Sequence, residues 1–343
     1  LFADADGDGG DGGAGATVLD AQALRQTPVQ RAQTAAEALE ITRQLMAEGR
    51  SATEEEKAAL AAYPGLGSLA EPTFGGGAAG SGMREALARV ERATRDHQGA
   101  ARRSAPNAHY TDPAVIDAFW SALARLGLGD AAAARDDGRA RVLEPGAGAG
   151  WMLGRMPEDL QGRVTATAVE REPFSARIAA ELYPEHDVRH ADFRDFEVPD
   201  GFYQAAIGNV PFSEVRVQDA RYDHLGPSTH DYFLLKSLDK LQPGGVAVLL
   251  TSSETLDKTR EAVRRELADR AELVEAVRLP ARTHERAAGT AAVTDALVLR
   301  KRETPLSELD PETRARTVQA ERAGPAPGHG RQADEEPPAY PGW

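Results

Sequence analysis

Between Arg139 and Arg302 the sequence alternates short runs of β-branched and apolar residues with stretches of helical periodicity. This alternation is typical of βαβ units, in which helices join parallel strands and cover both faces of a sheet. Seven runs have the composition of strands: RVLE, RVTATAVE, DVRHAD, FYQAAIG, GVAVLLT, ELVEAVRL and AVTDALVLR. The pattern predicts a doubly wound, seven-stranded α/β domain over residues 106–302.

The flanking segments have a different composition. Residues 1–26 are acidic and glycine-rich, and we expect a disordered linker there rather than a calcium loop, because Gly15 stands where such a loop needs a glutamate. Residues 27–105 are predicted to form a small helical region without chemistry of its own. Residues 303–343 are rich in proline, glycine and charge, which predicts a tail or linker.

Three helices are predicted in the N-terminal region from capping signals and periodicity. Thr27 precedes a proline at the first helical position, and Thr53 with Glu56 forms a capping box before a second helix. A third helix is expected from about Met83 to His97, after a glycine-rich break.

The chain of 343 residues contains no cysteine, which excludes several kinds of site. A disulfide scaffold, a thiolate zinc site, a cysteine nucleophile and a transferase that attacks cytosine carbon 5 through a thiol all need that residue. No metal site, membrane span or signal peptide is predicted, so we expect a cytoplasmic protein. The chain begins with Leu1 instead of Met, which suggests that an upstream portion is missing or was removed.

A glycine-rich turn follows the first predicted strand. It comprises Glu144, Pro145, Gly146, Ala147, Gly148 and Gly150. Alternate glycines let the backbone approach a ligand at the edge where open α/β sheets bind ligands, although a tight structural turn is the alternative. Trp151 occupies the place of the last glycine in a dinucleotide fingerprint, which disfavours a pyrophosphate ligand.

Two further strand ends offer groups that suit adenosine. Glu170 lies about 20 residues beyond the glycines, where a carboxylate can accept both ribose hydroxyls; a solvated glutamate is the alternative. Asp192 could accept from an adenine amino group, and Phe193 could lie against the ring.

The fourth predicted strand leads into Asn209, Val210, Pro211 and Phe212. The Asn209 side-chain oxygen and a backbone carbonyl such as that of Val210 could draw the hydrogens of an exocyclic amine and expose its lone pair. Phe212 could stack on a base rotated out of a duplex. A strand followed by an ordinary Asn/Pro turn is the alternative.

His230 and Asp231 open a predicted helix further along the chain. An acid–base role is one interpretation. Capping of that helix by Ser228, Thr229 and Asp231 is the other.

These motifs, taken in order, resemble the amino-methylating DNA methyltransferases. The order is NAHYTDP from Asn107 to Pro113, then LEPGAGAG, Glu170, Asp192-Phe193 and the turn that begins at Asn209. The sequence is most similar to the adenine-specific methylase portion of large phage- and plasmid-borne helicase–methylase proteins. The strings IGNVPF, HDYFLLKSLDKLQPGG, RLP and AGT also resemble that family, so the likeness extends from about Pro28 to Arg302.

The resemblance implies a class I S-adenosylmethionine-dependent methyltransferase fold and S-adenosyl-L-methionine as cofactor. By the same resemblance, Tyr110 and Thr111 contact the methionine part, the turn from Glu144 to Gly150 wraps the cofactor, and Glu170, Asp192 and Phe193 hold its adenosine.

Two positions depart from the family pattern. Val210 replaces a proline of the usual active-site tetrapeptide but retains the backbone carbonyl. His284 stands near the place of a phenylalanine; it could stack on the substrate base, and a surface histidine is the alternative.

The implied partners are DNA, with the target adenine flipped out, and a helicase domain or subunit. A net charge of -14 argues against a simple DNA-binding enzyme, although local basic clusters occur at Arg102-Arg103, Arg264-Arg265 and Arg300-Lys301-Arg302. Three hypotheses remain at this point: an adenine-specific DNA methyltransferase of a restriction-modification, phage or plasmid system; an enzyme with another acceptor (cytosine N4, RNA or protein glutamine); and a catalytically silent cofactor-binding or scaffold module.

Overall fold

The computed structural model describes residues 26–69, 81–100, 111–213, 215–281 and 293–323. Each of the seven predicted strands is present within these ranges. They are β1 (Ala140–Pro145), β2 (Val164–Glu170), β3 (Asp187–His190), β4 (Tyr203–Asn209), β5 (Leu241–Ser252), β6 (Ala271–Leu279) and β7 (Thr294–Lys301).

The strands form one seven-stranded sheet in the order β3-β2-β1-β4-β5-β7-β6. Neighbouring strands from β3 to β5 are parallel, whereas β7 runs antiparallel to both β5 and β6. The sheet turns back at β1, where the chain moves first toward β3 and then toward β4. This is the seven-stranded, Rossmann-like class I fold that the resemblance implies, and the fold prediction is therefore confirmed.

Helices connect and flank the strands. Their bounds are α1 (Pro28–Glu48), α2 (Glu54–Ala61), α3 (Ser81–Thr94), α4 (Pro113–Arg125), α5 (Leu128–Ala133), α6 (Trp151–Gly154), α7 (Pro173–Leu182), α8 (Thr229–Lys240), α9 (Glu254–Asp257), α10 (Ala262–Arg270) and α11 (Pro311–Ala323). The capping boxes predicted at Thr27 and Thr53 are both present, with Gln30 and Glu56 as their partners. The predicted third helix is α3, extended by a short 3₁₀ turn to His97.

Two hydrophobic clusters cover the two faces of the sheet. Val142 and Ala205 belong to the first cluster, whereas their chain neighbours Leu143 and Ala206 belong to the second. Because successive strand residues point to opposite faces, both faces must be apolar in a sheet that helices cover on both sides. This explains why the central strands are continuous apolar runs in the sequence.

The N-terminal helices share the first cluster with the sheet and the helices on that face. A polar contact joins them to α7: the backbone N–H of Ala52 donates to Glu181 Oε2 at 2.7 Å. The helical region thus packs directly on the α/β domain and has no separate core.

Helix α11 lies in the segment for which the sequence predicts a tail. Its Glu321 carboxylate is paired with Arg302, the residue that follows β7. Residues 1–25 of the predicted linker and residues 324–343 of the predicted tail lie outside the described residues. None of the helices described here combines the length and apolar character needed to cross a bilayer.

Candidate active site

A cleft of about 650 Å³ opens at the carboxyl ends of β1, β2 and β4. Open α/β sheets bind ligands at this edge, near the point where the strand order reverses. Ten of the predicted site residues line the cleft: Thr111, Glu144, Gly146, Ala147, Gly148, Glu170, Asp192, Phe193, Asn209 and Pro211. The fold therefore brings together side chains that are separated by about a hundred residues in the sequence.

The glycine turn supplies open backbone to the cleft. Gly148 has a φ of 56°, and a Cβ at this position would meet no other atom within 4 Å. Gly150 has a φ of 87°, but a Cβ there would lie only 2.7 Å from the ring of Tyr183. Gly148 thus leaves space beside the cleft, while Gly150 allows the turn to pack against α7.

Glu170 links the turn to the end of β2. Its Oε2 accepts from the backbone N–H of Gly148 at 2.8 Å, and its Oε1 accepts from that of Glu172 at 2.6 Å. Burial raises the pKa of Glu170, and these two backbone hydrogen bonds act in the opposite direction. A carboxylate has about four acceptor sites, so Glu170 retains lone pairs for hydroxyl donors in the cleft.

Glu144 places a second carboxyl group in the same cleft. Its side chain is 2% exposed, and its Oε2 has no hydrogen-bond partner among the described residues. Burial raises the pKa of Glu144 well above its usual range, and the nearby Glu170 raises it further. A buried carboxyl oxygen without a partner is costly, which points to a polar ligand group at this position.

Asp192 and Phe193 follow β3 on the same side of the cleft. Asp192 accepts from the backbone N–H of Arg194 at 2.9 Å and lies 3.6 Å from the Arg171 guanidinium. The ring of Phe193 is 3% exposed and packs against Phe233, with the ring centroids 4.8 Å apart. Phe193 is therefore part of an apolar wall, with Asp192 at its polar margin.

The turn that follows β4 lies beside the glycine turn in the wall of the cleft. A Cβ at Gly146 would lie 3.5 Å from Pro211 Cδ and 3.9 Å from the backbone oxygen of Asn209. The backbone N–H of Val210 donates to Leu250 O at 3.1 Å, which anchors the turn to β5. Asn209 is consequently held beside the backbone that the sequence assigns to the cofactor.

Four other predicted site residues that the structure describes do not line the cleft. Pro145 and Gly150 belong to the glycine turn but face away from the cleft lining, Val210 is buried in the second hydrophobic cluster, and Phe212 is half-buried against both clusters. Tyr110 and His284 lie outside the described residues, as do Asn107 and the rest of the NAHY string.

The chain is similar in sequence to one curated protein and in structure to several methyltransferases. "Defense against restriction protein B" of Escherichia phage P1 is 29% identical over 218 residues, which are 62% of this chain. The match spans only 9% of the length of that phage protein. No protein-family model matches the chain.

Among solved structures, a putative class I S-adenosylmethionine-dependent methyltransferase from Listeria monocytogenes aligns with a TM-score of 0.46 at 16% identity, covering 84% of this chain and 97% of the other. The methyltransferase subunit of a type I restriction-modification system from Streptococcus thermophilus aligns with a TM-score of 0.44 at 15% identity, covering 88% of this chain and 91% of the other.

Two segments contribute to the cleft without having been predicted. Gly65 and Leu66, in the N-terminal region for which no chemistry was expected, lie in its wall. The stretch after the Asn209 turn adds Ser213 and residues 215–218. The sequence signal available for the first segment is the pair of glycines Gly65 and Gly67, which marks a turn but carries no chemically reactive side chain.

His230 and Asp231 belong to a buried polar network below this second segment. Ser228 Oγ lies 2.9 Å from His230 Nε2 and donates to Asp231 Oδ2 at 2.8 Å. Ser228 is the N-cap residue of α8, but its side chain makes no capping hydrogen bond. The capping interpretation is therefore wrong for the Ser228 side chain, which is held by its neighbours in the network instead.

Proposed function

We propose that this chain is an S-adenosylmethionine-dependent methyltransferase that acts on the exocyclic amino group of adenine in DNA. The closeness of the glycine turn and the Asn209 turn carries the proposal. A Cβ placed on Gly146 would lie within 4 Å of both Pro211 Cδ and the Asn209 backbone oxygen. A methyl donor on the first turn and an amine on the second would thus be adjacent, as a direct transfer requires.

The cleft suits this cofactor in three respects. The open space at Gly148 allows close approach to the backbone. Glu170 has acceptor sites for the ribose hydroxyls, and the Glu144 Oε2 is available to a donor or a cationic group. When bound, the cofactor supplies an electrophilic methyl group that an uncharged amine nitrogen can accept.

Asn209 acts on the acceptor in this proposal. Its side-chain amide oxygen accepts a hydrogen bond from the target amine, and this draws the nitrogen lone pair out of conjugation with the ring. The amine nitrogen gains the methyl group through a new N–C bond and loses one proton to solvent, while the electron pair of the broken C–S bond stays on the sulfur of the cofactor. No enzyme nucleophile is needed, which agrees with a chain that contains no cysteine.

The choice of DNA rests on the family resemblance and on the phage relative. That relative is named for defence against restriction. A methyl group on a DNA base would serve such a defence, because it changes the base edges that a protein reads in the grooves. A helicase domain or subunit, as the family resemblance implies, is part of the same proposal.

The variant Asn209→Ala tests the reaction. We expect it to abolish transfer of labelled methyl groups to DNA, because the amine loses its acceptor, while cofactor affinity by calorimetry stays within a few-fold of wild type. The same assay with RNA and with protein substrates tests the choice of acceptor.

Ser213→Ala is the matched control, since Ser213 lies in the same cleft four residues further along. It should retain transfer. If Asn209→Ala methylates DNA at the wild-type rate, the assigned active site is wrong. Transfer by the wild type to RNA or protein instead of DNA would contradict the proposed substrate.

A further inference from the structure

A smaller cavity of about 240 Å³ lies beside the cleft. Arg216 lines both cavities, so they adjoin one another at this side chain. Lys258 and Arg260 also line the smaller cavity, together with Gly226 and Ser228. We call this cavity the side pocket.

Two guanidinium groups meet at a single glycine of the side pocket. A Cβ at Gly226 would lie 3.2 Å from Arg260 Nη1 and 3.7 Å from Arg216 Cζ. Both arginine residues are exposed, and neither forms an ion pair with any acidic side chain that the structure describes. No described acidic side chain therefore offsets the repulsion between the two guanidinium groups, and a bound anion would reduce it.

The acidic residue in the pocket is already matched by a cation. Asp231 Oδ2 lies 3.3 Å from Lys258 Nζ, and its Oδ1 accepts from Thr255 Oγ1 at 3.0 Å. Lys258 Nζ also donates to Ser228 Oγ at 3.0 Å, which fixes its position at the pocket wall. Lys258 and Asp231 balance one another, so the charge of the two arginine residues remains.

We propose that the side pocket binds a backbone phosphate of the nucleic acid strand whose target base occupies the cleft. Exposed guanidinium groups bind phosphate oxygens through paired, charge-assisted hydrogen bonds. Arg216 connects the two cavities, so a strand with one nucleotide in the cleft has its neighbouring phosphates within reach of the side pocket. This inference rests on the proposed function and adds to it a place where the strand is held.

Arg260→Gln tests the inference, because Arg260 lines only the side pocket and not the cleft. The measurement is binding of a 30-nucleotide DNA to the full chain across a salt series, with cofactor affinity measured in parallel. We expect DNA binding to weaken about tenfold at low salt, and the slope of log affinity against log salt to fall by about 1. Cofactor affinity should not change.

Arg265→Gln is the matched control. Arg265 lies five residues away, is 75% exposed and pairs with Glu261 at 2.7 Å. Arg265→Gln removes the same charge at a position outside the side pocket, and it should change DNA binding less than twofold. Equal effects of the two variants would overturn the inference, because DNA would then respond only to net charge.

A melting-temperature measurement with added inorganic phosphate tests whether the side pocket binds a phosphate of a DNA strand or a free anion. If phosphate raises the melting temperature of wild type but not of Arg260→Gln, while DNA binding is the same for both proteins, the pocket serves a small anion and the inference fails. Failure of the proposed function has a different signature, since the wild type would then neither bind nor methylate DNA.

Discussion

The carboxyl groups of Glu170 and Glu144, both in the cleft, differ in the hydrogen bonds that their oxygens accept. Glu170 accepts two backbone hydrogen bonds, one from Gly148 in the glycine turn and one from Glu172, which follows β2. Glu144 is more deeply buried, and its Oε2 has no partner among the described residues. The sequence identified both residues from their positions at strand ends, but it could not show this difference, which depends on the packing around each side chain.

Glu144→Gln should stabilise the protein in the absence of ligand at alkaline pH. Burial and the neighbouring Glu170 raise the pKa of Glu144. A carboxyl group with a raised pKa in the folded state is least costly when protonated, so the wild type loses stability as the pH rises through that pKa. The neutral amide does not titrate. We expect a higher urea midpoint for Glu144→Gln at pH 8, with the difference shrinking toward pH 5.

Glu158→Gln is the control for this comparison, because Glu158 is exposed. Its midpoint should follow that of the wild type at both pH values. Equal urea midpoints for Glu144→Gln and the wild type at pH 8 would show that ionisation of Glu144 does not destabilise the folded protein. On the proposed function, Glu144→Gln should also bind the cofactor about tenfold more weakly at pH 8, since the neutral amide cannot form the charge-assisted hydrogen bond of an ionised carboxylate.

At the scale of elements, the strands were predictable from the sequence, but their order in the sheet was not. The central strands β1, β2 and β4 are apolar runs, because strands covered on both faces must be apolar throughout, whereas the edge strand β3 is polar and partly exposed. The position of β7 between β5 and β6 depends on pairing between distant segments, which no local pattern records. The same holds for Gly65 and Leu66, which reach the cleft only through tertiary packing.

The glycine turn has two functions that two substitutions should separate. Both Gly148 and Gly150 have positive φ, so alanine at either position costs about 1–2 kcal/mol. Gly150→Ala also places its Cβ 2.7 Å from the Tyr183 ring, and such overpacking adds about 1–3 kcal/mol. We expect Gly150→Ala to lose more unfolding free energy in urea.

Gly148→Ala should instead act on the ligand, because its Cβ would occupy the open space beside the cleft. We expect the cofactor affinity of Gly148→Ala, measured by calorimetry, to fall about tenfold, which is equivalent to about 1.4 kcal/mol. The cofactor affinity of Gly150→Ala should stay within a few-fold of the wild-type value at temperatures where this variant is folded. If Gly148→Ala bound the cofactor as tightly as the wild type while Gly150→Ala bound it more weakly, the assignment of Gly148 to the cofactor site would be wrong.

At the scale of the whole molecule, net charge was a poor guide to local charge. Several arginine residues of the basic clusters seen in the sequence form ion pairs within the chain. Arg265 pairs with Glu261, Arg300 with Glu272 and Arg302 with Glu321. Arg102 and Arg103 lie outside the described residues. Arg216 and Arg260, which pair with no acidic side chain in the part of the chain that the structure describes, are 44 positions apart, so no local sequence pattern could have indicated their pocket.

On the proposed function, the glycine turn and the Asn209 turn together transfer a methyl group to the adenine amino group of DNA. The most direct test incubates the full chain with S-adenosylmethionine labelled in its methyl group and unmethylated genomic DNA, followed by mass spectrometry of the digested nucleosides. We expect label in N6-methyladenine for the wild type and none for Asn209→Ala. Label in N4-methylcytosine, or no label in DNA from a protein that binds the cofactor by calorimetry, would contradict the proposed function.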